Sequence, residues 1–364
     1  MRIEHLYFHF PFCAIICPYC GFYVTIGKRK DIALLTEALI REVEILKDYY
    51  SLDPKTVYIG GGTPSLAKSE EIKQLLSILR KENLQELTIE ANPRTITEQK
   101  AAEWKEVGVN RVSVGAQSMN EQDLLILGRR HKPKDVVDSV YLLRKAGIEN
   151  INLDFIFGIP GQDLQSLKQS LQMALDLAPK HISLYCLTYE ENTPFFKALQ
   201  EGKFRRDEQK EIEMMYEASD LLTKHGFIHY EISNFALPGY KSLHNQAYWQ
   251  GKDYLGIGPS ACSTVGTKRW KNVADHSLYV KAVKEGQLAI AEMESLDGES
   301  KNKEKIFLGL RTNQGVALSY FGQKEREVIQ WLVFEGLGRI VGERFVLTRR
   351  GLLVADSIAL YFMN

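Results

Sequence analysis

The chain has 364 residues, of which 45% are hydrophobic and 25% charged, with 46 Lys+Arg set against 46 Asp+Glu. A formal net charge of zero excludes a protein held to nucleic acid or anionic lipid by bulk electrostatics, and the composition is neither disordered nor collagen-like. No apolar run reaches the ~18 residues of a membrane span, and the start lacks a basic region followed by an unbroken apolar segment, so the sequence predicts a cytoplasmic protein not integral to a membrane.

Six short β-branched or aromatic runs come first: IEHLYFHF (3–10), TVYI (56–59), ELTIEA (86–91), RVSVG (111–115), INLDFIFG (151–158) and HISLYCL (181–187). Amphipathic patterns separate them over 32–47, 69–80, 98–107, 134–145 and 164–177. Alternation of this kind predicts an α/β fold of parallel βα units, either a six-stranded partial barrel or an open doubly wound sheet. Both architectures collect reactive groups at the carboxyl ends of the strands. The unusual residues of the sequence stand at those ends: Cys13 to Cys20, Gly60-Gly61-Gly62-Thr63-Pro64, Glu90-Ala91-Asn92-Pro93, Gln117, Asp154 and Thr188-Tyr189. One pocket lined from all six strands is therefore expected.

A further helix over about 208–225 leads into a section rich in aromatics and turn residues that contains His244-Asn245-Gln246-Ala247-Tyr248-Trp249. Gly256-Ile257-Gly258-Pro259-Ser260-Ala261 mimics a dinucleotide loop, but CSTVGTKRW after it does not read as a helix, so that site is discarded. From about Lys301 the order is helix, short helix (319–321), helix (324–335), the hairpin-like GRIVGERFVLT and a final helix through Ser357. This order is winged-helix-like, yet ten Lys/Arg against eight Asp/Glu over 296–364 argue against a nucleic-acid partner. The expected organisation is a core domain over 1–235, a connecting segment over 236–300 and a C-terminal module over 301–364.

Cys13, Cys17 and Cys20 lie on one short loop, while Cys186 and Cys262 stand alone. A tight cluster in an odd total reads as metal binding, not as a disulfide framework. Three thiolates at this spacing can ligate three irons of a cubane and leave the fourth open to a methionine-type chelate. Electron transfer into the bound sulfonium would break a carbon–sulfur bond and give a 5′-deoxyadenosyl radical. Zinc is the alternative, either in a closed four-ligand site or with three ligands and a water; apolar Phe10, Phe12, Ile15 and Ile16 around the loop favour a shielded redox centre. The three glycines of 60–62 let a ligand approach the backbone, and no GK[ST] ending marks a phosphate loop.

YFHFPFC followed by CxxxCxYC resembles the radical S-adenosylmethionine (SAM) superfamily, and the rest of the chain resembles its anaerobic coproporphyrinogen III oxidase/dehydrogenase-like branch. The resemblance implies a (β/α)6 TIM-like partial barrel carrying a [4Fe-4S] cluster on Cys13, Cys17 and Cys20. It places SAM against Tyr7, Tyr19, Gly61, Gly62, Thr63, Glu90, Gln117, Arg129 and Asp154. Glu90 and Asp154 can accept from hydroxyls or an ammonium, and Arg129 can pair with a carboxylate. The oxidases of the branch carry a fourth cysteine where this chain has Phe22, and an N-terminal extension ahead of the first strand, whereas this sequence begins at Met1. HNxxYW is the signature of the branch's haem-binding chaperones, which implies haem at His244, Asn245, Tyr248 and Trp249 and delivery to acceptor haemoproteins, membrane-bound ones among them. Imidazole is a good axial ligand, and the aromatics offer flat faces to a porphyrin. Where the family continues from the Gly256–Ala261 segment to a histidine, this chain has Cys262. Cys186 reads as a small hydrophobe of a barrel strand. A radical decarboxylase acting on coproporphyrinogen III is the alternative function, so enzyme status stays open, as does a homodimer.

Overall fold

A computed structural model describes residues 1–363. Strands β1 (Arg2–Phe10), β2 (Ser51–Gly61), β3 (Glu86–Ala91), β4 (Arg111–Gln117), β5 (Asn150–Phe157) and β6 (His181–Cys186) alternate with helices, of which α1 (Arg29–Lys47), α2 (Ser69–Ser77), α3 (Glu98–Glu106), α4 (Glu121–Ile126), α5 (Pro133–Lys145) and α6 (Leu164–Asp176) fall among these strands. All six strands run parallel, each paired with the next. The strands form because polar and apolar residues alternate on them. Leu6 and Phe8, Val57 and Ile59, Leu87 and Ile89, and Ile151 and Leu153 are fully buried on the face covered by helices. Helix α1 meets that face with Ile32, Leu35, Leu39, Val43 and Leu46, the i, i+3/i+4 stripe of a half-buried helix.

The open margins of this partial barrel are extended by strands that the sequence reading did not place. After α7 (Pro194–Gln200) and α8 (Glu208–Lys224), the antiparallel pair β7 (Ile228–Glu231) and β8 (Asn234–Ala236) adds to β6, and β9 (Leu255–Ile257) adds parallel to β1. The sheet thus has nine strands in the order β9-β1-β2-β3-β4-β5-β6-β8-β7. The additions pair backbone groups that bare edges of the barrel would leave open. Strand β2 begins at Ser51, five residues before the run read from sequence, because Ser51 and Leu52 pair with Arg2 and Ile3 through an irregular register; Ser-Leu-Asp-Pro has the composition of a turn and hid the pairing.

The segment after β8 contributes α9 (Leu243–Trp249), an antiparallel sheet of β10 (Cys262–Val265), β11 (Lys268–Asn272) and β12 (Ile290–Ser295), and α10 (His276–Lys284). Its Leu255, Ile257, Trp270, Tyr279 and Val283 belong to the same apolar core as the barrel. A second core contains Ile306, Leu310, Ile329, Leu332, Phe345 and Ile358. It is built by α11 (Gly298–Leu310), β13 (Val316–Ala317), α12 (Gln323–Phe334), β14 (Gly338–Val341), β15 (Arg344–Leu347), α13 (Arg349–Leu353) and α14 (Ala355–Leu360). The final helix of the sequence reading is two helices broken at Val354 (φ −120°, ψ 25°). Among the described residues, no helix is long and apolar enough to cross a membrane.

Candidate functional site

The inward faces of the six strands are polar. His5 and Tyr7 of β1, Thr56 and Tyr58 of β2, Glu86 and Glu90 of β3, Arg111 and Ser113 of β4, Asn152 and Asp154 of β5, and His181 and Ser183 of β6 occupy alternate positions. Their hydrogen bonds cross from strand to strand. Ser113 Oγ donates to Asp154 (2.9 Å), Asn152 Nδ2 to Ser183 Oγ (2.9 Å) and Tyr58 Oη to Glu90 (2.8 Å), while His181 Nδ1 lies 2.6 Å from Asn152 Oδ1. The sequence reading singled out only Tyr7, Glu90 and Asp154 of this set. The signal for the others was present as a polar residue at every second position of each strand.

At the carboxyl ends of the strands a cavity of about 1440 Å³ opens, lined by Cys13, Cys17, Cys20, Tyr19, Gly61, Gly62, Thr63, Glu90, Gln117, Arg129 and Asp154. Eleven of the twelve residues proposed for cluster and SAM therefore meet on one surface. Tyr7 is the exception and does not border this cavity. Its ring packs against Tyr58 (centroids 6.1 Å apart) and its hydroxyl lies 2.9 Å from His9 Nδ1, so it backs the wall instead of forming it. His131 was not foreseen and also borders the cavity.

The cysteine loop rests on a small apolar cluster of Leu127, Ile156, Ile159, Leu187 and Phe195, against which Tyr19 packs. Phe195 N donates to Pro18 O (3.1 Å), tying the loop to the helix that follows β6. Thr63 Oγ1 donates to Cys13 Sγ (3.5 Å) and Arg129 Nη1 to Cys17 Sγ (3.6 Å). Burial pushes the Cys13 and Cys20 thiols above their ordinary range, so holding them as thiolates needs a cation. Phe22, which is 74% exposed, stands at the rim of the cavity.

Gly61 has φ +113°, and a Cβ there would lie 2.7 Å from the His9 ring; its N–H donates to Glu90 Oε2 (3.0 Å). Only glycine brings the backbone this close. Glu90 is pushed up to about 7 by burial, with Asp154 adding to the shift and Tyr58 opposing it. Asp154 is raised by burial, partly offset by its hydrogen bonds from Ser113 and Ser183. Gln117, at φ +63°, carries a strained backbone into the cavity wall, a conformation that clusters at ligand sites. A Cβ on neighbouring Gly115 would sit 2.9 Å from the Gln117 amide and 3.4 Å from the Arg129 guanidinium, whose Nη2 donates to Gly115 O (2.9 Å).

The four residues proposed for haem lie elsewhere. His244 is 1% exposed. Its Nδ1 lies 2.7 Å from Thr56 Oγ1, its Nε2 2.8 Å from Tyr248 Oη, and its ring stacks on Tyr58. Burial drives it down to about 3, so it is a neutral imidazole with both nitrogens engaged. Helix α9 is fixed by buried Glu86, which accepts from Leu243 N (2.7 Å), His244 N (3.0 Å) and Ser242 Oγ (3.3 Å). Trp249 lines a second cavity of about 400 Å³ that shares no residue with the first, and His244, Asn245 and Tyr248 line neither. Cys262 is exposed and lies outside both cavities; Cys186 is half-buried and borders the larger one.

Residues 7–174 match the model of the radical SAM superfamily. The heme chaperone HemW of Lactococcus lactis is 35% identical over 94% of this chain and 91% of its own. The HemW of Bacillus subtilis is 34% identical over 98% of each. Among solved structures, the coproporphyrinogen III oxidase HemN from Escherichia coli superposes with a TM-score of 0.84 at 23% identity, covering 99% of this chain and 90% of that one, which establishes the fold.

The superfamily implies a [4Fe-4S] cluster and SAM, and the residues fit both. Among the described residues no three His, Cys, Asp or Glu side chains converge on one point as ligands of a single ion. Three thiols opening onto one cavity instead suit a polynuclear cluster in which each serves a different iron. Arg129 Nε and His131 Nδ1 are buried at the cavity wall with no hydrogen-bond partner, which a bound ligand would supply. With full-length relatives above 30% identity, this chain belongs to the HemW family of the radical SAM superfamily.

Proposed function

We propose that this protein is a cytoplasmic haem chaperone that holds a [4Fe-4S] cluster and SAM and delivers haem to haemoproteins, membrane-bound ones included. The observation that carries the reading is similarity along the whole chain, C-terminal module included, to proteins named as heme chaperones. The absence of a fourth loop cysteine at Phe22 supports it against the oxidase reading.

Cys13, Cys17 and Cys20 would hold the cluster, which with SAM supplies reductive one-electron chemistry. Arg129 offsets thiolate charge beside Cys17. Thr63 and the exposed backbone of Gly61 and Gly62 receive the methionyl part. Glu90 and Asp154 accept hydrogen bonds from SAM, and Gln117 and Arg129 close the opposite wall. The apolar cluster under the cysteine loop gives it a dry backing, while the sulfurs open onto the cavity.

The test uses anaerobically reconstituted full-length protein. Haemin should produce a Soret change, and the loaded protein should pass haem to an apo-cytochrome in vesicles. Given coproporphyrinogen III, SAM and a reductant, it should form no protoporphyrinogen at catalytic turnover; such turnover would overturn the chaperone reading in favour of decarboxylation.

A further inference from the structure

The second cavity, at the seam between α9 and the C-terminal module, has one sign of charge. Lys241, Lys252, Lys305 and Arg344 line it, and no aspartate or glutamate does. Among the described residues, none of the four forms a salt bridge, whereas 18 bridges engage charges elsewhere. Three of them are positioned by other contacts. Arg344 donates through Nε to Gln314 O and through Nη2 to Gly315 O, both 2.7 Å, which leaves Nη1 available. Lys305 Nζ lies 5.4 Å from the centre of the Tyr320 ring and Lys241 Nζ 5.5 Å from that of Tyr230. Four uncompensated cations around one concavity repel each other and set up a positive potential that a dianion relieves.

Trp249 and Tyr320 add aromatic walls to the same concavity. Cations beside flat apolar faces are the complement of a flat ligand with carboxylates on one edge. We infer that this cavity is the seat of the propionate edge of haem, with Lys241, Lys252, Lys305 and Arg344 binding the two carboxylates and Trp249 packing on the macrocycle. The inference rests on the haem-chaperone reading and deepens it, because it separates the haem seat from the cluster cavity. At about 400 Å³ the cavity takes one edge of a porphyrin and leaves the rest outside, as a carrier that must hand its cargo over requires.

The experiment compares haemin with iron protoporphyrin IX dimethyl ester, whose propionates are masked, by Soret titration of the reconstituted full-length protein. Wild type should bind haemin at least about tenfold more tightly than the ester, and Lys305→Gln/Arg344→Gln should lose about tenfold for haemin and nothing for the ester. Lys241→Gln/Lys252→Gln, which removes the other two cations of the cavity, should behave alike and serves if the first pair misfolds. Cluster absorbance and SAM binding should stay at wild-type levels, which separates local loss from unfolding. Equal affinity of wild type for haemin and ester, or haemin binding unchanged in both variants, would overturn this seat and leave the chaperone reading intact. A wild type that binds neither porphyrin would overturn that reading and this seat with it.

Discussion

His244 and His5 share one hydroxyl: Thr56 Oγ1 lies 2.7 Å from His244 Nδ1 and 2.9 Å from His5 Nδ1. A hydroxyl has a single proton, so one imidazole accepts from Thr56 and the other donates to it. The signature histidine is thus part of the barrel floor, held from below by β1 and β2 and from its own helix by Tyr248.

Replacing His244 with phenylalanine should therefore act first on stability. The change takes from Tyr248 its buried hydrogen bond with His244 and leaves Thr56 with His5 alone, worth about 1–3 kcal/mol in all. Denaturant unfolding should show that loss, and haemin affinity should change by less than about threefold. A variant of wild-type stability that no longer gives a Soret change would instead make His244 a direct ligand.

Iron content should depend on the loop cysteines alone. Cys17→Ala should leave substoichiometric iron after anaerobic reconstitution, because an incomplete triad no longer anchors the cluster. Cys186→Ala and Cys262→Ala should retain the wild-type amount. Elemental analysis showing equal iron in all three variants would contradict the assignment.

SAM binding should depend on pH through Glu90. Its carboxyl is pushed up to about 7, so the charged form, which accepts hydrogen bonds at both oxygens, grows as pH rises from 6 to 8. Affinity for SAM should rise over that window in wild type and stay flat, about tenfold weaker at pH 8, in Glu90→Gln. Equilibrium dialysis under anaerobic conditions measures both. A parallel slope in the variant would assign the titration to another group.

Stability should also respond to Glu42, far from either cavity. This buried residue of α1 accepts from Gly258 N (2.8 Å), Asn272 Nδ2 (2.7 Å) and Tyr279 Oη, joining α1 to β11 and α10. Burial raises it to about 7, with those hydrogen bonds opposing the shift. A carboxyl whose folded value exceeds its unfolded value binds more protons when folded. Its contribution is fully present below about pH 4.5 and declines as pH rises through 7. Glu42→Gln should flatten the fall in melting temperature between pH 5 and 8; Asn272 Oδ1, which has no partner, can turn toward the new amide. An unchanged slope would refute the role of Glu42.

Local chemistry was legible in the residues themselves. The cysteine loop is a matter of spacing along a few residues, so its sulfurs are close in any fold. The βα alternation and the rule that strand ends carry the reactive groups were enough to bring Gly61, Glu90, Gln117 and Asp154 to one cavity. Tyr7, in register with Tyr58, packs against that cavity-lining ring and does not itself border the cavity.

What only the tertiary structure decided lies where distant segments meet. The motif HNQAYW reads as one unit in sequence, yet a helical turn points its members in different directions: His244 and Tyr248, four residues apart, face the floor while Trp249 faces the C-terminal module. The positive cavity is assembled from lysines near α9, one lysine of α11 and one arginine of β15, separated by as many as 103 positions between Lys241 and Arg344. No periodicity links them, because the balanced composition records how many charges exist and not which ones folding leaves without partners. Spacing sets chemistry within a loop; packing sets which surfaces of separate elements close around a ligand.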